Sequence, residues 1–334
     1  MTAAELKALT KRIVSPYSPA GDEMSIASLI MEEIKGLVDE VSIDSLGNVI
    51  AHRKGKGSKV MLAAHMDEIG VIVTHIDEKG FLRFAPIGGQ NPMVLLASRC
   101  HFANGTVGVF GSESLSPGQP LEIGKMFIDI GCYDRESAMK KVKIGDQAAF
   151  NAECVDLGKV MMSKSMDDRI ACVVLIGVLK TIKKTINDLY FVFTVQEEVG
   201  LRGARTAAYT VDPDYGIAVD VTRTGDTPKG ITMDVSLGKG PTVKVKDSSI
   251  ICHPKIRCFM ADVAEKKNIP YQIEVLEAGG TDSGAIHLSR AGVPSGVMSI
   301  PCRYIHTPNE MVDMDDVAQG IKLLTAILET EFPK

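Results

Sequence analysis

Seven side chains that could ligate a metal or move a proton stand out in this chain: His65, Asp67, Asp167, Glu197, Glu198, Asp220 and His306. Most stand where an apolar run gives out. His65 and Asp67 close the run from Val60 to Ala64, and Glu197 and Glu198 close Leu189 to Val195. Asp220 closes Tyr215 to Val219, and His306 follows Ile300 to Ile305. Acids and histidines at the ends of buried strands are costly unless their charge and hydrogen bonding are compensated. In an α/β sheet the carboxyl ends of the strands are also where sites are built. Two histidines among several carboxylates suit a pair of hard-to-borderline divalent ions such as zinc, cobalt or manganese. The chemistry expected is hydrolysis at a two-metal centre.

Taken singly, each residue has an ordinary structural explanation. A histidine at a strand end is usually hydrogen-bonded structure, Glu197-Glu198 alone would be a solvated strand end, and Asp220 a turn residue. Asp167-Asp168 precedes a helical run, where such acids cap the N-terminus, and that role is expected for Asp168. The joint occurrence of all seven outweighs these separate explanations. His52, His75, His101, His253 and His287 carry no functional assignment.

These residues need elements to position them. Helical spacing runs over Ala3 to Val14 and Ser25 to Leu37, and short strands are expected at 41–43 and 48–51 before the Val60 strand. From about Gly70 short alternating strands (71–76, 81–85, 105–110, 147–150) separated by Gly, Pro, Asn and Asp turns read as a small all-β barrel or sandwich. One helix is expected within it, near Arg135 to Lys141. Beyond Lys159 the α/β texture returns, with helices from Ile170 to Lys180, Pro254 to Lys267 and Asp315 to about Glu329, and strands at Leu189, Tyr215, 272–276 and 296–299. Adjacent strand residues point to opposite faces, so Glu197 and Glu198 share a site only if the strand has already broken into a loop. Gly200 and Gly203 just beyond are consistent with that.

The fold class expected is therefore a mixed-sheet α/β domain, residues 1–69 and 160–334, interrupted by a small all-β barrel at 70–159. With 334 residues, 45% hydrophobic and 24% charged, the chain can fill such a core. A net charge of −5 with only short basic runs argues against nucleic acid. The longest apolar stretch, Ile170 to Leu179, falls short of the roughly 20 residues needed to span a bilayer, so no membrane partner is expected. Seven scattered cysteines without a Cys-x-x-Cys pair fit reduced thiols and a cytoplasmic location.

Six strings, in order along nearly the whole chain, carry a resemblance: 64–70 (AHMDEIG), 165–169 (SMDDR), 194–204 (TVQEEVGLRGA), 218–222 (AVDVT), 279–285 (GGTDSGA) and 303–308 (RYIHTP). The chain resembles the glutamyl aminopeptidase and tetrahedral aminopeptidase family of cytosolic co-catalytic metallopeptidases, some members of which are labelled endoglucanases. The resemblance implies two divalent metal ions per subunit, with Asp167 bridging, His65 and Asp220 completing one ligand set and Glu198 and His306 the other. It implies Glu197 as general base and Asp67 as the aspartate that orients His65. The implied substrates are peptides with a free N-terminus. The implied assembly is a homo-oligomer, a dimer or a larger closed shell up to a dodecamer, joined through the β insertion. At 111–117 (GSESLSP) the chain lacks the histidine and basic residues expected from relatives.

Paired glycines permit close backbone approach, so Gly279 and Gly280 line a substrate channel or form a plain tight turn. Arg257 pairs with an acidic substrate side chain or with an acid on its own helix. The rival functions are a metal-dependent deacylase or carboxypeptidase of the same fold, a glycoside hydrolase and a non-catalytic assembly protein. A carboxylate pair alone would need no histidines, and the chain has no tryptophan for sugar stacking.

Overall fold

A computed structural model describes residues 1–333. The chain opens with α1 (Ala3–Val14), capped at its start by a reciprocal pair in which Thr2 accepts from the Glu5 amide and Glu5 accepts from the Thr2 amide. Next comes α2 (Met24–Glu33). It stops short of Leu37 because Gly36 takes φ 78°, yet Ile34 and Leu37 still pack on the core. That is why helical spacing outlasts the helix.

Strands β1 (Glu40–Ile43), β2 (Val49–Arg53) and β3 (Lys59–His65) follow. The chain then leaves for a separate layer: β4 (Gly70–Ile76), β5 (Leu82–Ile87), helix α3 (Pro92–Leu95), β6 (Arg99–Phe102), β7 (Val107–Ser112), β8 (Met126–Asp129), helix α4 (Arg135–Lys141) and β9 (Gln147–Phe150). These strands close into a six-stranded barrel in the order β4-β5-β8-β7-β6-β9. Its interior is filled by side chains such as Val71, Leu82, Phe84, Phe110, Ile128 and Phe150. The sequence pattern misses β6 and β8.

The chain returns through β10 (Val155–Asp156) and β11 (Val160–Ser163) to α5 (Met166–Thr181), β12 (Asp188–Thr194), α6 (Arg202–Val211), β13 (Tyr215–Thr222), β14 (Thr242–Lys246), α7 (Pro254–Lys266), β15 (Gln272–Val275), α8 (Ser283–Ile286), β16 (Ser295–Arg303), β17 (Glu310–Asp313) and α9 (Met314–Leu328). The main sheet has eleven strands, with β12, β3, β13 and β16 running parallel at its centre. Parallel strands are covered on both faces, which accounts for their unbroken apolar runs. Helices α1, α2, α5, α7 and α9 share one core, and α6 and α8 cover part of the other face. Helix α5 is buried from Met166 to Leu179 and, past Asp167, Asp168 and Arg169, apolar all round from Ile170 to Leu179. Each buried Val, Leu or Ile there contributes about 1.5–3 kcal/mol by leaving water. The sheet register sets His65 beside Thr194, so the ends of β3 and β12 arrive together.

Candidate metal centre

The carboxyl ends of the parallel strands open into a cleft lined by His65, Asp167, Glu197, Glu198, Asp220 and His306. His65 is the last residue of β3 and is 2% exposed. Its Nε2 lies 3.1 Å from Asp167 Oδ1, and His306 Nε2 lies 3.3 Å from Asp167 Oδ2. One carboxylate thus turns one oxygen to each histidine. His306 Nε2 is also 3.2 Å from Glu198 Oε1, and His65 Nε2 is 3.8 Å from Glu197 Oε2. Donor atoms of His65, Asp167 and Glu198 fall within 4.8 Å of one another, as do those of His65, Asp168 and Asp220.

Backbone anchors hold these groups. Glu310, buried on β17, accepts the Asp167 amide at 2.9 Å and the His306 amide at 2.7 Å, so one carboxylate fixes two cleft residues from different elements. Sequence reasoning overlooked it, because a lone glutamate beginning a four-residue strand carries no signal. The segment after β12 is a loop, as two adjacent glutamates require, and Gln196 and Leu201 take φ 55° and 56°. Its four consecutive amides are each caught by a side chain. Val195 N–H donates to Asn48 Oδ1, Gln196 to Glu23 Oε1, Glu197 to Asp67 Oδ1 and Glu198 to Asp67 Oδ2, all at 3.0–3.2 Å. Asp67 Oδ1 also lies 3.4 Å from His65 Nδ1. Asp67 therefore ties the histidine to the glutamate loop rather than serving the histidine alone.

Asp168 differs from expectation. It is not a helix cap: the N-cap of α5 is Ser165, and the backbone at Asp167 and Asp168 departs from helical angles. That departure turns Asp168 inward, where it is fully buried and its Oδ2 accepts from the His65 amide at 3.2 Å. Its Oδ1 has no hydrogen-bond partner among the described residues.

Gly279 and Gly280 line the cleft, with Leu276, Ala278 and Ile305. Arg257 does not. It is half-buried on α7, a helix that packs Ile256, Met260 and Val263 into the core with α5 and α9. The arginine among the described lining residues is Arg223, just past β13. The barrel also reaches the site, through the turn after β5. A Cβ on Gly89 would lie 2.9 Å from His306 Nδ1, and one on Gly88 would lie 3.1 Å from Glu198 Oε2.

The electrostatics describe a site short of positive charge. Burial, with Asp220 and Glu198 nearby, pushes the Glu197 carboxyl well above the ordinary carboxylate range. Burial does the same to Asp220, reinforced by Asp167. Burial opposes charge on His306, yet Asp167 and Glu198 push its pKa up to about 12. Asp67, Asp167, Asp168, Glu197, Glu198 and Asp220 thus share two histidines, and among the described residues the cluster's ion pairs run to those histidines alone. A set of two imidazoles and several carboxylates crowded into one cleft fits divalent cations, whose charge would take the place of the protons, and Asp168's orphaned oxygen marks the same deficit.

The sheet-plus-barrel architecture and this cleft define a hydrolase of the aminopeptidase class. Residues 47–323 match the model of the M42 glutamyl aminopeptidase family, and the chain belongs to that family. It is 52% identical over 317 residues, covering 95% of this chain and 96% of the relative, to a putative aminopeptidase of Acetivibrio thermocellus. Its structure resembles that of an aminopeptidase from the archaeon Desulfurococcus kamchatkensis, with a TM-score of 0.94 and 40% identity over 98% of this chain and 95% of that one. It also resembles the Pyrococcus horikoshii TET1 peptidase, described as able to assemble into a tetrahedron or a large octahedral shell. There the TM-score is 0.87, with 32% identity over 97% of this chain and 99% of that one.

Proposed function

We propose that this chain is a two-metal aminopeptidase that removes N-terminal residues from peptides. The observation that carries the reading is Asp167, whose two oxygens lie 3.1 and 3.3 Å from the Nε2 atoms of His65 and His306. Asp167 would bridge two divalent ions (zinc, cobalt or manganese), with His65 and Asp220 holding one and Glu198 and His306 the other. When bound, such ions lower the pKa of water and polarise a peptide carbonyl. Glu197 lines the cleft beside both donor sets, takes a proton from the attacking water and passes it to the leaving amine. Asp67 keeps His65 oriented while fixing the Glu197 and Glu198 amides. Gly279 and Gly280 form a wall open to the substrate side chain, and Arg223 replaces Arg257 as the cation at its rim. The substrate's free amine selects N-termini.

Residues 1–69 and 160–334 form the catalytic unit in this reading, and the barrel at 70–159 joins copies into a homo-oligomer. The resemblance to a shell-forming peptidase supports that assignment. Among the described residues no helix is long and apolar enough to cross a membrane, and the seven cysteines are unpaired, which fits a reducing cytoplasm.

The test is hydrolysis of unblocked aminoacyl and N-blocked chromogenic anilides by protein stripped of metal and reloaded with zinc, cobalt or manganese. Turnover confined to free amines and to reloaded protein is expected. Turnover of blocked substrates alone would move the assignment to a deacylase. Light scattering of the same preparations is expected to show an oligomer, and a monomer at every concentration would remove the assembly role.

A further inference from the structure

Beneath the substrate side of the cleft lies a second charged cluster that the proposed chemistry does not use. Lys244 on β14 is 1% exposed, and its Nζ lies 3.0 Å from Asp247 Oδ2 and 3.0 Å from Glu274 Oε1. Glu274, fully buried on β15, accepts from Thr222 Oγ1 at 2.8 Å and from Thr242 Oγ1. Asp247 Oδ1 accepts from Ser249 N, Ser249 Oγ and Ile250 N at 2.7–3.0 Å. Ser249 Oγ in turn accepts from the Thr281 amide at 3.4 Å, and Ser248 N–H donates to the Gly279 carbonyl at 3.1 Å. Gly280 packs so closely on Ser249 that a Cβ there would meet its side chain at 3.1 Å.

Two arms leave the same ammonium group. One runs through Glu274 to Thr222, which lines the cleft two residues beyond Asp220. The other runs through Asp247 and the Ser248–Ser249 turn to the Gly279–Thr281 segment, whose two glycines also line the cleft. A buried ion pair is weak evidence for stability, since apolar residues of similar volume often serve as well. What an apolar filling would not supply is a fixed spacing between two walls, each satisfied by directional hydrogen bonds.

We propose that Lys244 is a positioning residue: through Glu274–Thr222 and Asp247–Ser249 it sets the Thr222 wall against the Gly279–Gly280 wall, and so sets how tightly the N-terminal residue of a peptide is held. The inference rests on the aminopeptidase reading and deepens it. It concerns substrate fit and leaves water activation to Glu197. The wall variants therefore act on KM, while kcat and metal content stay with the donor cluster.

The experiment uses Thr222→Val, Ser249→Ala and the double variant in the metal-reloaded full chain. The readouts are leucyl, lysyl and glutamyl p-nitroanilide kinetics, bound metal per chain and calorimetric titration with free leucine. Each single variant is expected to raise KM about five- to tenfold, the loss of one hydrogen bond. Leucine affinity should fall in parallel, with kcat within about twofold and metal content unchanged. Thr222→Ser, which keeps the donor, should restore KM. Because both arms end on one lysine, the double variant should raise KM by clearly less than the product of the single effects, although Thr222 and Ser249 share no hydrogen bond. Unchanged KM and leucine affinity, a strictly multiplicative double variant, or a fall in kcat with loss of metal would each overturn the proposal. Should the wild-type chain turn over no anilide, the aminopeptidase reading fails instead, and the leucine titrations alone decide the positioning role.

Discussion

Glu197, the base of the proposed mechanism, lines the cleft 3.8 Å from His65, and burial with Asp220 and Glu198 nearby holds its carboxyl well above the ordinary range. Glu197→Gln keeps the shape and the backbone anchor to Asp67 but cannot carry that proton. It is expected to lower kcat by about 10²–10⁴ while bound metal per chain is unchanged. A kcat within tenfold of the parent, at full metal loading, would assign the base elsewhere. The contrast with Asp67 is instructive. Asp67 is fully buried, gives one oxygen to each of the Glu197 and Glu198 amides, and does not line the cleft. At this scale identity and role separate: of two neighbouring carboxylates, one faces the cleft and one lies behind it, holding the loop amides.

At the scale of elements, the decisive piece is the loop from Val195 to Gly203. Asn48, just ahead of β2, grips both of its ends: Oδ1 accepts from the Val195 amide at 3.0 Å and Nδ2 donates to the Gly203 carbonyl at 3.1 Å. Asn48→Ala leaves these buried partners unmet and should cost about 1–3 kcal/mol each at most. The observable is a lower melting temperature together with faster amide exchange at Val195 than in the neighbouring β12. A drop in melting temperature with loop protection intact would mean that Asn48 only supports the strand. A second element makes a sharper prediction. The barrel turn at Gly88–Gly89 abuts Glu198 and His306, with space for hydrogen but not for a methyl group at Gly89. Gly89→Ala should therefore displace the His306 ring and reduce both metal retention and kcat. Gly124→Ala, where an added Cβ would meet no described atom within 4 Å beyond its own chain neighbours and helical turn, should change neither. Equal behaviour of the two variants would separate the barrel from the active site.

On the scale of the whole molecule, the cleft is a concentration of negative charge enclosed by a folded sheet and a barrel. Ions that bind only the folded chain stabilise it by mass action, by about 4 kcal/mol at a thousandfold excess over Kd. Chelation should lower the melting temperature, and zinc, cobalt or manganese should restore it in proportion to log concentration. A melting temperature indifferent to chelator would argue that the cluster is satisfied by protons.

The fold class was legible in the chain, and so were six side chains that the fold gathers at one cleft, because both rest on local patterns. Apolar runs with acids and histidines at their ends mark parallel strands and their carboxyl edges, and short alternating segments from Gly70 mark the barrel. Neither pattern requires knowing which strand lies next to which. Tertiary structure alone decided the rest. Glu310, Asn48 and Glu23 are single polar residues whose importance lies in which amides they meet across the fold, so periodicity says nothing about them. Asp168 was a cap by sequence and a buried acceptor by structure, because the backbone turns at the start of α5. Arg257 lies outside the cleft that Arg223 lines, because helix spacing fixes which residues share a face of α7 but not which face the sheet takes. Residue type limits the chemistry a side chain can perform, whereas distance, burial and hydrogen-bond partners are properties of pairs brought together from afar, and only the folded chain defines those pairs.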